Sequence, residues 1–188
     1  MLFYWGGSLA SLGAGRSIWL TGRAKGAERL ALLGFRLAFV LALMGPFLMV
    51  LVPELQSLDP LWNPSISTAF AFLGLAVASF GSMIAFAAQM SMGASWRVGV
   101  ASGETGAMVT GGLFDKSRNP TFVGHLLLLL GVAVAVPSAL TLIAVLAYTA
   151  SAAYQVRKEE QALLEAHGDA FATYCEQVPR WIGFRTNS

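Results

Sequence analysis

Glu159 and Glu160 are adjacent carboxylates placed directly after Arg157 and Lys158. A second polar cluster, Ser117-Arg118-Asn119-Pro120-Thr121-Phe122-Val123-Gly124-His125, runs straight into five consecutive leucines, Leu126–Leu130. The chemistry open to these groups is charge recognition. Carboxylates hold an ammonium. An arginine beside a helix N-terminus holds an anion, because the first N–H groups of a helix lack partners and carry partial positive charge. Asn119 suits a helix N-cap and Pro120 the first helical position, so a helix is expected to start there. Brought together, the two clusters would fit a zwitterionic amino acid group. The same residues also read as a solvated Arg157–Glu160 network, worth about 1 kcal/mol or less, with Arg118 as an anchor to lipid headgroups. His125 lies more than a turn inside the apolar helix, and ionisable residues at such depth face a cavity or a partner.

The elements that must position these groups are membrane helices. The chain of 188 residues is 56% hydrophobic and 12% charged, where a soluble domain carries about 25% charged residues. Composition therefore gives an all-α polytopic membrane protein with four or five transmembrane helices, a C-terminal helical hairpin and an amphipathic cytoplasmic tail. A net charge of +2 without a basic cluster excludes nucleic acid as a partner. Cys175 is the single cysteine, and His125 and His167 lack metal-ligand spacing, so no metal site is expected.

In chain order, residues 2–20 are apolar but broken by glycines and Arg16, and either span marginally or lie in the interface. Residues 30–52 and 65–90 are each long enough to cross at roughly 20 residues per span, with Pro46 in the first and a small-residue stripe of Gly74, Ala78 and Ser82 in the second. Arg36 lies two turns beyond Arg29 and either snorkels to the surface or points into a protein cavity. Residues 91–119 form the long polar connector, which holds Trp96, Arg97, Glu104 and Asp115. Gly112, Lys116 and Ser117 lack the glycine a phosphate loop needs before its lysine. Two apolar helices then meet at Pro137-Ser138, and the second, over residues 139–166, would run about 42 Å, beyond a hydrocarbon core of about 30 Å. Gly168 suits its C-cap. Leu163, His167, Phe171, Tyr174 and Val178 follow at helical spacing, as an amphipathic tail on the membrane face. Residues 1–90 thus form a membrane and substrate-access part, and residues 91–188 a site-bearing part.

The motifs resemble those of a known family. Ser117 to Gly124 is similar to the Arg-His-Pro-x-Tyr-x-Gly signature of the isoprenylcysteine carboxyl methyltransferase and phospholipid methyltransferase superfamily. The second half matches in Arg157-Lys158-Glu159-Glu160-Gln161-Ala162-Leu163, His167-Gly168, Tyr174 and Val178-Pro179-Arg180-Trp181-Ile182. Met92 to Gly99 and Leu113-Phe114 resemble the bacterial members, and the likeness covers roughly residues 89–183. It implies S-adenosyl-L-methionine as cofactor, bound by Arg118, Asn119, Pro120, Gly124, Glu159, Glu160 and Tyr174, and methyl transfer to a hydrophobic or lipidated acceptor drawn from the membrane lipids. Arg118, His125 and Arg97 are the catalytic candidates, and Arg97 or Arg180 would hold an acidic acceptor. Asn119 stands where the family has His and Phe122 where it has Tyr, so neither an imidazole nor a phenol is available there. Two other readings stay open: a related membrane reductase with a nicotinamide cofactor, and a non-enzymatic scaffold or transporter subunit.

Lys and Arg occur in the connectors at 21–29, 91–119 and 157–188 but not at 53–64 or the hairpin tip. The positive-inside tendency then puts the first three on the cytoplasmic side of what the resemblance implies is a bacterial inner membrane. Cysteines placed at Thr105 and Asn187 should resist a membrane-impermeant thiol reagent in intact cells while one at Ser57 reacts. Labelling of Thr105 and Ser57 from the same side would reverse that topology.

Overall fold

The computed structural model describes residues 26–62, 65, 68–92 and 108–183. Residues 2–20, with their open question of spanning, lie outside these, as does Arg97. The described residues form six α-helices and one 3-10 turn: α1 (Ala27–Leu51), α2 (Pro53–Leu58), α3 (Thr68–Met92), the 3-10 turn Gly112–Asp115, α4 (Pro120–Ala135), α5 (Ala139–His167) and α6 (Asp169–Gln177). No strand occurs among them. Three helices, α1, α3 and α5, are long and apolar enough to cross a membrane, and α4 is a shorter apolar helix. Sixteen residues give α4 about 24 Å at 1.5 Å per residue. The architecture is thus an all-helical, polytopic membrane fold. Large hydrophobic residues cover the outer faces of the long helices, among them Phe47, Phe72, Phe80 and Leu146, as expected where the solvent is lipid.

By internal packing the described residues form two units. One comprises 26–29, 84–92, 108–123 and 154–183; the other comprises 30–62, 65, 68–83 and 124–153. The second unit is held by close backbone approach. A Cβ added at Gly131 would lie 2.7 Å from Ala78 Cα, and one at Gly74 would lie 2.6 Å from the Gly131 carbonyl. At Gly81 it would meet the Gly124 carbonyl at 2.6 Å and Leu127 Cβ at 2.8 Å. The stripe on α3 therefore runs Gly74, Ala78, Gly81, and α4 answers with Gly124, Gly131 and Ala135. Ser82, expected in the stripe, instead donates its hydroxyl to Ala78 O of its own helix at 2.9 Å, which satisfies a polar group that lipid cannot. Without a hydrophobic driving force between helices in lipid, such contact is what associates them.

The connection between α1 and α3 is tied down as well. Gln56 Nε2 donates to Met49 O at 2.6 Å, folding α2 back onto the end of α1. Asp59 Oδ2 accepts the N–H of Ala139, the first residue of α5, at 2.8 Å, and its Oδ1 accepts the N–H of Leu61 at 2.9 Å. Ser138 and Thr141 complete the cap reciprocally: Ser138 N donates to Thr141 Oγ1 at 3.1 Å and Thr141 N to Ser138 Oγ at 3.2 Å. This follows the capping-box logic with a hydroxyl in place of the usual carboxylate.

Between α5 and α6 the chain turns at Gly168, whose φ of 53° and ψ of −128° lie where a side chain is strained. The turn lets α6 bury Phe171, Tyr174 and Val178 against Met108, Leu163 and Cys175. The apolar face expected to lie on the membrane is thus turned into the protein, because those neighbours supply a drier surface than the headgroup layer.

Gly131→Val should be severely destabilising. Overpacking typically costs about 1–3 kcal/mol, and here the obstacle is backbone that cannot move aside. Gly112→Ala, with a positive φ but no neighbour within 4 Å, should cost less. The check is the thermal midpoint of each variant in detergent; a Gly131→Val midpoint equal to wild type would refute the close-packed seam.

Candidate functional site

The start of α4, the exit of α5 and the segment after α6 meet in the first unit, around Glu160. Its Oε1 accepts Arg118 Nε at 3.1 Å and Asn119 Nδ2 at 3.2 Å. Its Oε2 accepts Arg180 Nε at 2.9 Å and lies 2.7 Å from Arg180 NH2. The Arg118 and Glu160 side chains are each 11% exposed, and that of Arg180 is 41%. The Arg118 pair is therefore the buried half of the network, where removal of one partner typically costs about 3–5 kcal/mol, while the Arg180 pair is partly screened by solvent. The hydrogen bond from Arg180 to Glu160 also holds that guanidinium's pKa above its usual value.

Local sequence explains how these side chains arrive. α4 begins at Pro120 as expected, and Asn119 O accepts the first intrahelical N–H, that of Val123, at 3.1 Å. The Asn119 side chain does not cap the helix. Its amide donates to Glu160 and, at 3.1 Å, to Arg180 O. The N–H of Asn119 is taken by Ser117 Oγ at 3.0 Å. Arg118 turns toward the protein: besides Glu160 it donates through NH1 to Cys175 O at 3.0 Å. The N-terminal end of α4, expected as an open anion site, is thus covered, with Ser117, Asn119 and Pro120 all buried.

The cover is a strap formed by residues 178–183. Arg118 N donates to Pro179 O at 3.0 Å, Gly183 N donates to Lys116 O at 3.1 Å, and Ser117 Oγ contacts Arg180 O at 3.4 Å. Tyr174 fixes the near end of the strap by donating its hydroxyl to Phe114 O at 2.7 Å. Burial raises the thiol pKa of Cys175, with the Arg118 charge opposing it.

Glu159 and Glu160 are not equivalent. The uncharged part of α5, from Ala139 to Val156, is about 27 Å long, and both carboxylates lie in the part beyond it. Successive helical residues point about 100° apart, so Glu160 enters the network while Glu159 does not. Glu159 is half-buried and has no hydrogen bond or ion pair with the described residues. Burial, and then repulsion from the Glu160 carboxylate, raise its pKa above the ordinary 4.5. The solvated pairing on this helix runs elsewhere, from Lys158 to Gln161 and from Gln161 to Glu165.

The family model described as phospholipid methyltransferase matches residues 69–170, more than half of the chain. The chain belongs to the phospholipid methyltransferase family. Among solved structures it is similar to a eukaryotic intramembrane Ras methyltransferase, isoprenylcysteine carboxyl methyltransferase, with a TM-score of 0.62 at 20% identity. That alignment covers 98% of this chain and 63% of the other, so this family member spans under two thirds of its structural relative. No curated protein sequence matches it. The likeness supports the fold.

For this phospholipid methyltransferase family member, the structure brings Arg118, Asn119, Pro120 and Glu160 together, with Glu159 beside them and Tyr174 one step removed. Gly124 and His125 belong to the second unit. Gly124 is there a packing residue, its carbonyl against Gly81. His125 is 7% exposed. Its ring centroid lies 5.2 Å from that of Phe39, 5.9 Å from Phe35 and 6.1 Å from Tyr148, each in an edge-to-face arrangement. The participation of Arg180 through both side chain and carbonyl exceeds the role its sequence suggested. Its spacing of twenty residues from Glu160 carries no local signal, and only the Val-Pro-Arg ending marked it.

Glu160→Gln should loosen the strap, since it removes the charge that both arginines share. Amide hydrogen exchange at Arg118 and Gly183, whose N–H groups are bonded across to the strap, should quicken by at least about tenfold, the equivalent of about 1.4 kcal/mol. Exchange at the Asp59-bound N–H of Ala139 should not change. Unaltered protection at Arg118 and Gly183 would remove Glu160 from its central place.

Proposed function

We propose that the chain is an S-adenosyl-L-methionine-dependent methyltransferase acting on a lipid-like acceptor at the cytoplasmic face of the membrane, with Glu159 as the residue that takes the ammonium group of the cofactor. Family membership supports the reaction class. The observation that carries the assignment of the site is the division of labour between the two glutamates: Glu160 is neutralised by Arg118 and Arg180, and Glu159 keeps a carboxylate with no partner among the described residues. A half-buried anion in that condition suits a cation, and the cofactor carries two, an ammonium and a sulfonium.

When bound, the cofactor would supply an activated methyl, displaced from its sulfonium sulfur by the acceptor's nucleophile. The chain's own contribution is placement, which is the main need of such a displacement. Arg118, Asn119 and Arg180 hold Glu160 fixed, and the backbone turn carrying Glu160 fixes Glu159. The strap over Ser117 and Asn119 keeps water from the start of α4. An amine, thiol or hydroxyl acceptor must also lose a proton, whereas a carboxylate has none to lose. His125, caged by three aromatic rings, is a packing residue in this scheme. Residues 1–90 serve as the membrane part through which the acceptor approaches.

Two measurements test this reading. Purified protein, methyl-labelled S-adenosylmethionine and a total membrane lipid extract should give a labelled lipid product. Binding should also depend on pH in a defined direction. The pKa of Glu159 is raised in the free protein, so between 4.5 and the raised value it is partly protonated, and a bound cation favours the ionised form and releases that proton. Affinity should therefore rise with pH through that window and level off above it. Calorimetry in buffers of different ionisation enthalpy should detect the released proton. Glu159→Gln should lose the pH slope and weaken binding at least about tenfold, since a charge-assisted hydrogen bond is worth about 1.5–3 kcal/mol. Normal binding by Glu159→Gln, or binding of a nicotinamide cofactor in place of the sulfonium one, would defeat the assignment.

A further inference from the structure

The strap at 178–183 is held at both ends, and all of its anchors belong to the first unit. Pro179 O accepts the N–H of Arg118 at 3.0 Å, and the N–H of Gly183 donates to Lys116 O at 3.1 Å. The two ends also press on each other: a Cβ added at Gly183 would lie 2.7 Å from Pro179 Cγ. Residues 180–182 are therefore the tip of a tight loop. Arg180 turns back from that tip, with its guanidinium on Glu160 and its carbonyl on Asn119. Val178 is buried with Phe171 and Tyr174. Trp181 and Ile182 stand on the outside, 41% and 70% exposed.

The level of the tip follows from its anchors. Arg118 precedes Pro120, the first residue of α4, by two residues, at most about 7 Å of chain. Phe122, the first large apolar side chain of that helix, lies about 3 Å further by helical rise. The strap is thus bonded to backbone within about 10 Å of the apolar part of α4. A headgroup layer is roughly 5–8 Å thick on each side of the hydrocarbon. The same unit includes the end of α3, a helix long and apolar enough to cross a membrane, and there Phe86 and Met90 are exposed. The unit therefore borders lipid by itself.

The composition of the tip suits that boundary. Tryptophan has an apolar ring and a polar N–H, and collects where membrane meets water. Ile182 gains only where it leaves water. Positive charge flanks the pair: Lys116 is exposed on the segment bonded to Gly183, and the Arg180 side chain is partly exposed beside Trp181. Basic groups at this level are attracted to anionic headgroups.

We propose that Trp181 and Ile182 dip into the boundary between headgroups and acyl chains, so that lipid clamps the strap over the start of α4. The inference rests on the chain lying in a membrane and not on methyl transfer. The strap then has two fastenings, Glu160 on its protein side and the bilayer on its outer side.

The test uses the full chain in nanodiscs of phosphatidylcholine and phosphatidylglycerol. A nitroxide on Ile182→Cys, with Cys175→Ser to leave one thiol, should be relaxed more by oxygen, which concentrates in lipid, than by a water-soluble nickel chelate. A lipid carrying nickel at its headgroup should relax it as well. Amide exchange at Arg118 and Gly183 should quicken about tenfold or more when Trp181→Ser and Ile182→Ser are combined. Trp181→Phe with Ile182→Leu should restore most of that protection. A label relaxed chiefly by the soluble chelate would put the tip in water. One shielded from every reagent would put it under another segment of the chain, and broadening between labels would put it against a second copy. Each of these overturns the proposal, and so does unchanged exchange in the double serine variant. If Cys175→Ser does not fold, tryptophan emission decides the point. The emission lost on Trp181→Phe should be smaller in brominated than in plain phosphatidylcholine, because lipid bromine already quenches that ring. An equal loss in both lipids would again put the tip in water.

Discussion

The carboxylate of Glu160 is the interaction on which the rest of the first unit depends. It receives Arg118 and Asn119 on one oxygen and Arg180 on the other, so a single side chain joins the start of α4, the exit of α5 and the strap after α6. Two arginines around one carboxylate leave an excess of positive charge in a partly buried place. Such a place is costly unless every donor has an acceptor. The carbonyls of Cys175 and Arg180 meet part of that need by accepting from Arg118 and Asn119. The strap is therefore a source of acceptors as well as a cover.

Much of this was legible in the sequence, for identifiable physical reasons. The start of α4 at Pro120, the hairpin bend at Pro137-Ser138 and the turn at Gly168 follow from residues with narrow backbone preferences. The spans follow from composition. What stayed hidden depends on direction around a helix or on distant partners. Adjacent glutamates look alike in a sequence, and only the placement of Arg118, Asn119 and Arg180 around it makes Glu160 the one enclosed. Ser82 and Gly81 compete for the same seam, and the serine is displaced because its hydroxyl can bond its own helix. Asn119 reads as a cap, yet its amide reaches across to Glu160, since Ser117 already serves the local N–H.

The two units rely on different forces. In the second, association comes from backbone against backbone along Gly74, Ala78 and Gly81, where lipid offers no hydrophobic gain for burying larger side chains. In the first, outside the apolar spans, α6 buries Phe171, Tyr174 and Val178 in the manner of a soluble domain. The charged network belongs to this watery part of the molecule, where ions can be desolvated partially and not wholly.

The bond from Asp59 to the N–H of Ala139 joins residues eighty positions apart. Synthesis proceeds from the N-terminus, so α1, the loop with Asp59, and α3 leave the ribosome before α5 exists. When the second hairpin arrives, the acceptor for its exposed helix end is already in place. Ala139 must therefore reach the level of that loop before the bond can form. A single carboxylate in a short loop thus sets where the last long helix can begin, from the half of the protein that was made first.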